Sequence, residues 1–78
     1  MNYYEVCVSP DGSENSVDAY WLCIKAVREP SLKEAERFLT LDKKARVIDI
    51  VPIDEADALK DYNFDSETNW PVFGANTI

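Results

Sequence analysis

Apolar and polar positions along the first residues of the chain alternate. Tyr4, Val6 and Val8 fall on one side, and Tyr3, Glu5 and Cys7 on the other. A period of two predicts a β-strand from Tyr3 to Val8. The following segment, Ser9 to Ser16, is rich in turn formers, and its Pro10-Asp11-Gly12 supplies the φ values a chain reversal needs. It should join the first strand to an antiparallel second one. That second strand is expected from about Asp18 to Val27, with Tyr20, Leu22, Ile24 and Ala26 on one face. Trp21, Cys23, Lys25 and Val27 form the other face, and Lys25 marks it as the wetter one. Glu29-Pro30 ends the run, because the residue before proline stays extended and proline has no N–H to give a ladder.

The pattern then changes period. Ser31-Leu32-Lys33-Glu34 has the form of a capping box, in which the Ser31 hydroxyl accepts from the Glu34 N–H and the Glu34 carboxylate accepts from the Ser31 N–H. Leu32, Ala35, Phe38 and Leu39 recur at helical spacing, predicting a helix through Leu39 or Thr40 with Lys33, Glu34, Glu36 and Arg37 facing water. After a turn at Asp42-Lys43-Lys44, alternation returns from Arg46 to Val51, with Val47, Asp49 and Val51 opposite Ile48 and Ile50. Pro52 is expected to end this third strand. Asp54 reads as the N-cap of a short second helix from Glu55 to about Tyr62, with Asp57 at its N3 position. Residues 63–78 form an extended C-terminal tail of weak periodicity containing Trp70-Pro71-Val72-Phe73-Gly74.

The order ββα-βα-tail predicts one α+β domain spanning residues 1–78, with residues 63–78 as its tail. A right-handed strand–helix–strand crossover makes the second and third strands parallel. The first strand then lies between them, antiparallel to both. The sheet is three-stranded and mostly antiparallel, in the order 2-1-3, with the first helix packed on one face. An all-antiparallel meander is the alternative. The helix should cover Tyr4, Val6, Val8, Leu22, Ile24, Ile48 and Ile50. The second face would carry Tyr3, Cys7, Trp21, Cys23, Val27, Val47 and Val51, which is too apolar to be left to water. Three coverings are open for it: the tail with Trp70 and Phe73, a second copy of the chain, or a partner. The tail is favoured because a small domain needs every apolar contact it has.

Composition narrows the setting. The 78 residues are 46% hydrophobic and 29% charged, a globular balance. A chain this short buries only about 60% of its unfolded surface, so a stability of about 5 kcal/mol is expected. No apolar run reaches the roughly 18 residues of a membrane span. The first residues lack the basic and apolar regions of a signal peptide, so a cytoplasmic location is expected. The net charge of −7 is unevenly distributed. Residues 1–46 hold eight acids and seven bases, whereas residues 47–78 hold seven acids and the single base Lys60. Such a field repels nucleic acid and anionic membranes and attracts basic protein surfaces.

Side chains for catalysis are sparse. There is no histidine, and the two glycines, Gly12 and Gly74, make no phosphate-binding loop. Cys7 and Cys23 have no cationic neighbours in sequence and are expected as free, partly buried thiols. Asp54, Glu55 and Asp57 lack the alternate spacing and the glycine of a calcium loop and are better explained as helix capping. No catalytic residue, cofactor or metal site is therefore expected, and the chain reads as a non-enzyme.

The remaining signal is a series of acids with aromatics among them. Asp49, Asp54, Glu55, Asp57, Asp61, Asp65 and Glu67 succeed one another, and Asp54, Asp57 and Asp61 share one helical face. Such a row approximates the phosphate spacing of nucleic acid, about 3.4 Å per strand. A plain solvated surface is the simpler account, but solubility does not require clustering, and like charges one turn apart weaken a helix. Trp70 and Phe73, beside Tyr62 and Phe64, add rings of the kind that anchor protein interfaces; closing the small core is their other reading. The partner-binding set is Asp49, Asp54, Glu55, Asp57, Asp61, Asp65, Glu67, Trp70 and Phe73.

The compact ββα-βα layout, the opening Met1-Asn2-Tyr3-Tyr4-Glu5-Val6 and the acidic C-terminal part resemble small proteins of phages and mobile elements, in particular anti-CRISPR proteins and other DNA mimics. The resemblance is one of size, charge and layout over the whole chain. It implies an inhibitor that occupies the nucleic-acid groove or an assembly surface of a protein or nucleoprotein complex, without binding nucleic acid or membrane itself, as a monomer or homodimer. The alternative is a small adaptor or oligomerisation module that uses the apolar sheet face.

Overall fold

The computed structural model describes residues 2–62 and 72–73. The elements follow in the order β1 (Asn2–Ser9), β2 (Tyr20–Ala26), α1 (Leu32–Leu39), β3 (Arg46–Ile53), α2 (Glu55–Asp61) and β4 (Val72–Phe73). The sheet order is β3-β1-β2-β4, with β1 antiparallel to both β2 and β3. The expected α+β fold and its 2-1-3 core are therefore present. The short β4 adds a fourth strand that the sequence did not announce, running parallel to β2 with Lys25 opposite Val72 and Ala26 opposite Phe73. Of the tail expected to fold over the second face, Trp70 lies outside the described residues, and the Val72–Phe73 backbone extends the sheet sideways instead.

The capping box forms as the sequence predicts. The Glu34 N–H donates to Ser31 Oγ at 3.1 Å, and the Ser31 N–H donates to Glu34 Oε1 at 2.9 Å. Arg28 adds a bidentate pair to the same carboxylate, 2.8 Å to Oε2 and 3.3 Å to Oε1. The helix ends without a glycine. Thr40 takes a left-handed conformation (φ 50°), and its N–H donates to the Arg37 carbonyl. Gly12 (φ 80°) has a different reason to be glycine: a Cβ there would stand 2.7 Å from the Lys44 carbonyl oxygen. The β1–β2 loop and the α1–β3 turn thus touch backbone to backbone at one end of the sheet.

The main core lies between the sheet and α1. Tyr4, Val6, Val8, Ile24 and Ala26 meet Ala35, Ala45 and Val47, with Phe38, Leu39, Leu41 and Ile50 packed around them. Val6 and Val8 are fully buried, each stabilising by about 1.5–3 kcal/mol. A smaller cluster of Tyr3, Cys23 and Ala58, with Ile53 and Tyr62, occupies the opposite face beneath α2.

Several expectations about individual positions are corrected. Strict alternation puts Val47 on the second face and Ile48 in the core. The β1–β3 register instead shifts between Cys7 and Val8, so that Cys7 pairs with Asp49 and Val8 with Val47. Ile48 is the extra residue of a bulge, which reverses the parity of the strand start and buries Val47 on the α1 side. Pro52 does not end β3, because β3 is an edge strand, where a missing N–H need not break a ladder. Lys25, expected on a wet face, is buried, whereas Tyr20 and Leu32, expected on the apolar sides of β2 and α1, are exposed. β2 begins at Tyr20 and not at Asp18.

Candidate acidic binding face

The bulge and the second helix together decide where the acids point. Beyond the bulge, Asp49, Val51 and Ile53 lie opposite Cys7, Glu5 and Tyr3, on the face away from α1. Asp49 is exposed, and its Oδ1 accepts from the neighbouring Ile50 N–H at 2.9 Å, holding a backbone donor beside the irregular stretch of ladder. The chain then turns at Asp54 into α2, which lies over the Tyr3–Cys23 half of that face through Ala58 and Tyr62. The buried side of α2 is set by those two residues, one turn apart. Asp54, Glu55, Asp57 and Asp61 are left exposed. Asp54 stands at the N-cap position with extended backbone, yet its side chain makes no capping hydrogen bond. The capping role expected of its carboxylate is therefore not taken up.

The face is held by a polar contact that joins residues 57 apart in sequence: the Tyr62 hydroxyl donates to Glu5 Oε2. Both residues are partly buried. Burial, then the hydrogen bond to Glu5 and its charge, push the Tyr62 phenol well above its ordinary value of 10.0. Tyr3 is raised too, by burial first and then by Glu55 and Cys23. Cys23 is pushed up to about 11, chiefly by burial and then by Glu5, and Cys7 is raised by burial and by Asp49. Both thiols are protonated at neutral pH, the opposite of what an activated nucleophile needs. They lie on the same face, but Cys23 pairs with Glu5 and not with Cys7. That diagonal places their Cα atoms about 7–8 Å apart, beyond the usual reach of a disulfide, and both are free.

The expected binding residues are thus partly assembled. Asp49, Asp54, Glu55, Asp57 and Asp61 come from the end of β3 and from α2, on the side of the sheet away from α1. Asp65, Glu67 and Trp70 lie outside the described residues, and Phe73 is placed only by the backbone of β4. Among the described residues, the ion pairs are Arg28–Glu34 and Arg46–Glu36, whose acids both belong to α1; no acid of the second face is in one. No group of three or more Cys, Asp or Glu among the described residues is placed to hold a metal ion. No described helix is long and apolar enough to cross a membrane.

Two features escaped the sequence reading. Glu5 and Tyr62 give no local signal of a partnership; only the strand parity of Glu5 pointed to this face. The second is an apolar hollow of about 350 Å³ at the β2 edge, where Trp21, Cys23 and Tyr62 from one side approach Leu22, Ile24, Phe38 and Leu39 from the other. Comparison of the chain with protein-family models, with curated proteins and with solved structures finds no match.

Proposed function

We propose that the chain is a non-enzymatic binding protein that docks its acidic face on a basic, nucleic-acid-binding surface of a protein or nucleoprotein complex, acting as an inhibitor in the manner of DNA mimics such as anti-CRISPR proteins. The observation that carries this reading is the exposure of Asp49, Asp54, Glu55, Asp57 and Asp61 on one side of the sheet with no ion-pair partner among the described residues. Along the axis of α2, Asp54 and Asp57 are about 4.5 Å apart and Asp57 and Asp61 about 6 Å apart. Phosphates recur at about 3.4 Å along a nucleic-acid strand, so the row presents anionic charge in a line at a somewhat wider pitch. Clustering of this kind costs helix stability through like-charge repulsion, which a basic partner relieves on binding.

The test is capture from a bacterial lysate at low and high salt, by the wild type and by the triple variant Asp54→Lys, Asp57→Lys, Asp61→Lys. A nucleic-acid-binding protein retained by the wild type, released by salt or by competing duplex DNA, and not held by the variant supports the reading. Full retention by the triple variant refutes it. A second reading, an adaptor that pairs through the sheet face, is favoured by Trp21 and Val51, which stand 44% and 37% exposed on that face. It requires a stable dimer dispersed by Trp21→Ser.

A further inference from the structure

A groove of about 500 Å³ lies between α1 and the turn that leads into β3, lined by Lys33, Glu36, Arg37, Asp42, Lys43 and Arg46. Arg46 is held in place: its Nη1 donates to the Lys43 and Ala45 carbonyls at 2.8 and 2.9 Å, and its Nε stands 3.9 Å from Glu36 Oε1. Lys33 and Arg37 project one helical turn apart, and neither is in an ion pair among the described residues. The groove is therefore of mixed sign, with four bases and two acids. A bare phosphate chain would meet the carboxylates of Glu36 and Asp42 as well as the bases. A surface of mixed sign with an excess of acids fits better, and the exposed side of α2 is one, with Asp54, Glu55, Asp57 and Asp61 against the single base Lys60.

We infer that the groove receives the α2 face of a second copy of the chain, so that the protein associates head to tail. The inference rests on the same acidic face as the proposed function, but gives it a different occupant. The two patches cannot pair within one molecule. α1 and α2 lie on opposite faces of the sheet, and Arg46 and Asp54 stand at opposite ends of β3. Eight residues of strand separate them by about 26 Å, more than three screening lengths at about 0.15 M salt. Because the patches differ, the contact is heterologous, so copies join into rings or open chains instead of closing as a two-fold dimer.

The net charge of −7 gives this association a distinctive salt dependence. At about 0.01 M salt the screening length is about 30 Å, and whole-molecule repulsion opposes contact. At about 0.15 M it is about 8 Å, so only the facing patches count; at about 1 M it is about 3 Å, and their attraction fades. Sedimentation equilibrium across these three conditions should show a mass above 8.9 kDa that rises with protein concentration, greatest at the middle salt.

Neutral variants locate the contact. Lys33→Gln with Arg37→Gln should weaken association at least about tenfold, as should Asp57→Asn with Asp61→Asn. Mixing the two variants leaves one intact groove and one intact acidic face, so they should form finite one-to-one pairs. The groove variant keeps the acidic face, so its capture of a basic partner from lysate reports on the proposed function separately. The inference is overturned by a monomer at every salt, by a closed dimer insensitive to both variants or dispersed by Trp21→Ser, or by a groove that gains mass only with added duplex DNA.

Discussion

The Tyr62 hydroxyl donates to the Glu5 carboxylate across the second face of the sheet, and this bond ties the end of α2 to the middle of β1. Tyr62→Phe leaves the partly buried carboxylate without that donor. The cost should be about 1 kcal/mol in urea denaturation, modest because water still reaches this partly buried site. A raised phenol pKa means the folded state favours the protonated form. This stabilisation is present below pH 10.0 and is lost as pH rises above it. Ultraviolet titration should show two tyrosines, Tyr3 and Tyr62, ionising late in the wild type and one fewer in Tyr62→Phe.

The bulge at Ile48 is tested by a pair of truncations. Val47 is 3% exposed, and Val47→Ala should cost about 2 kcal/mol through lost burial and a residual cavity. Ile48→Ala, although it removes more carbon, should cost less than about 1 kcal/mol because Ile48 is the unpaired, partly exposed residue. Denaturation midpoints in the reverse order would mean a strand of unbroken alternation.

Gly12→Ala should destabilise by about 1–3 kcal/mol. It combines a positive φ with a contact that the Lys44 carbonyl can relieve only by moving backbone. Thermal melts of the single variant check this. An unchanged midpoint would show that the β1–β2 loop does not press on the α1–β3 turn.

Glu34 is held down to about 2 by the hydrogen bonds from Arg28 first and from the Ser31 backbone next. A depressed carboxylate contributes its stability above its ordinary pKa of 4.5, and loses it as pH falls towards 2. The stability difference between wild type and Glu34→Gln should therefore be constant above about pH 5 and shrink below it. A difference independent of pH down to about 2 would contradict the pairing.

The thiols of Cys7 and Cys23 should react slowly with an aromatic disulfide reagent in the native protein at neutral pH. Unfolding in urea should accelerate both at least about tenfold, since burial both shields them and raises their pKa. Fast native labelling of either would place a reactive thiol on the surface.

What local chemistry encodes was legible in the chain itself. The capping box at Ser31 and Glu34 needs only a spacing of three, and the period-two runs of β1 and β2 need only alternation, so both were readable. With them came the 2-1-3 order, because a hairpin joining β1 to β2 and a helical crossover from β2 to a parallel β3 leave β1 between the two. The share of acids beyond residue 46 was likewise plain. Tertiary structure alone decided the rest. Alternation cannot signal where it is interrupted, so the bulge that buries Val47 became visible only once β3 was set against β1. The bond between Glu5 and Tyr62, the approach of Gly12 to Lys44 and the gathering of Lys33, Arg37, Lys43 and Arg46 around one groove join residues through space. Their positions are set by packing, which no local pattern records.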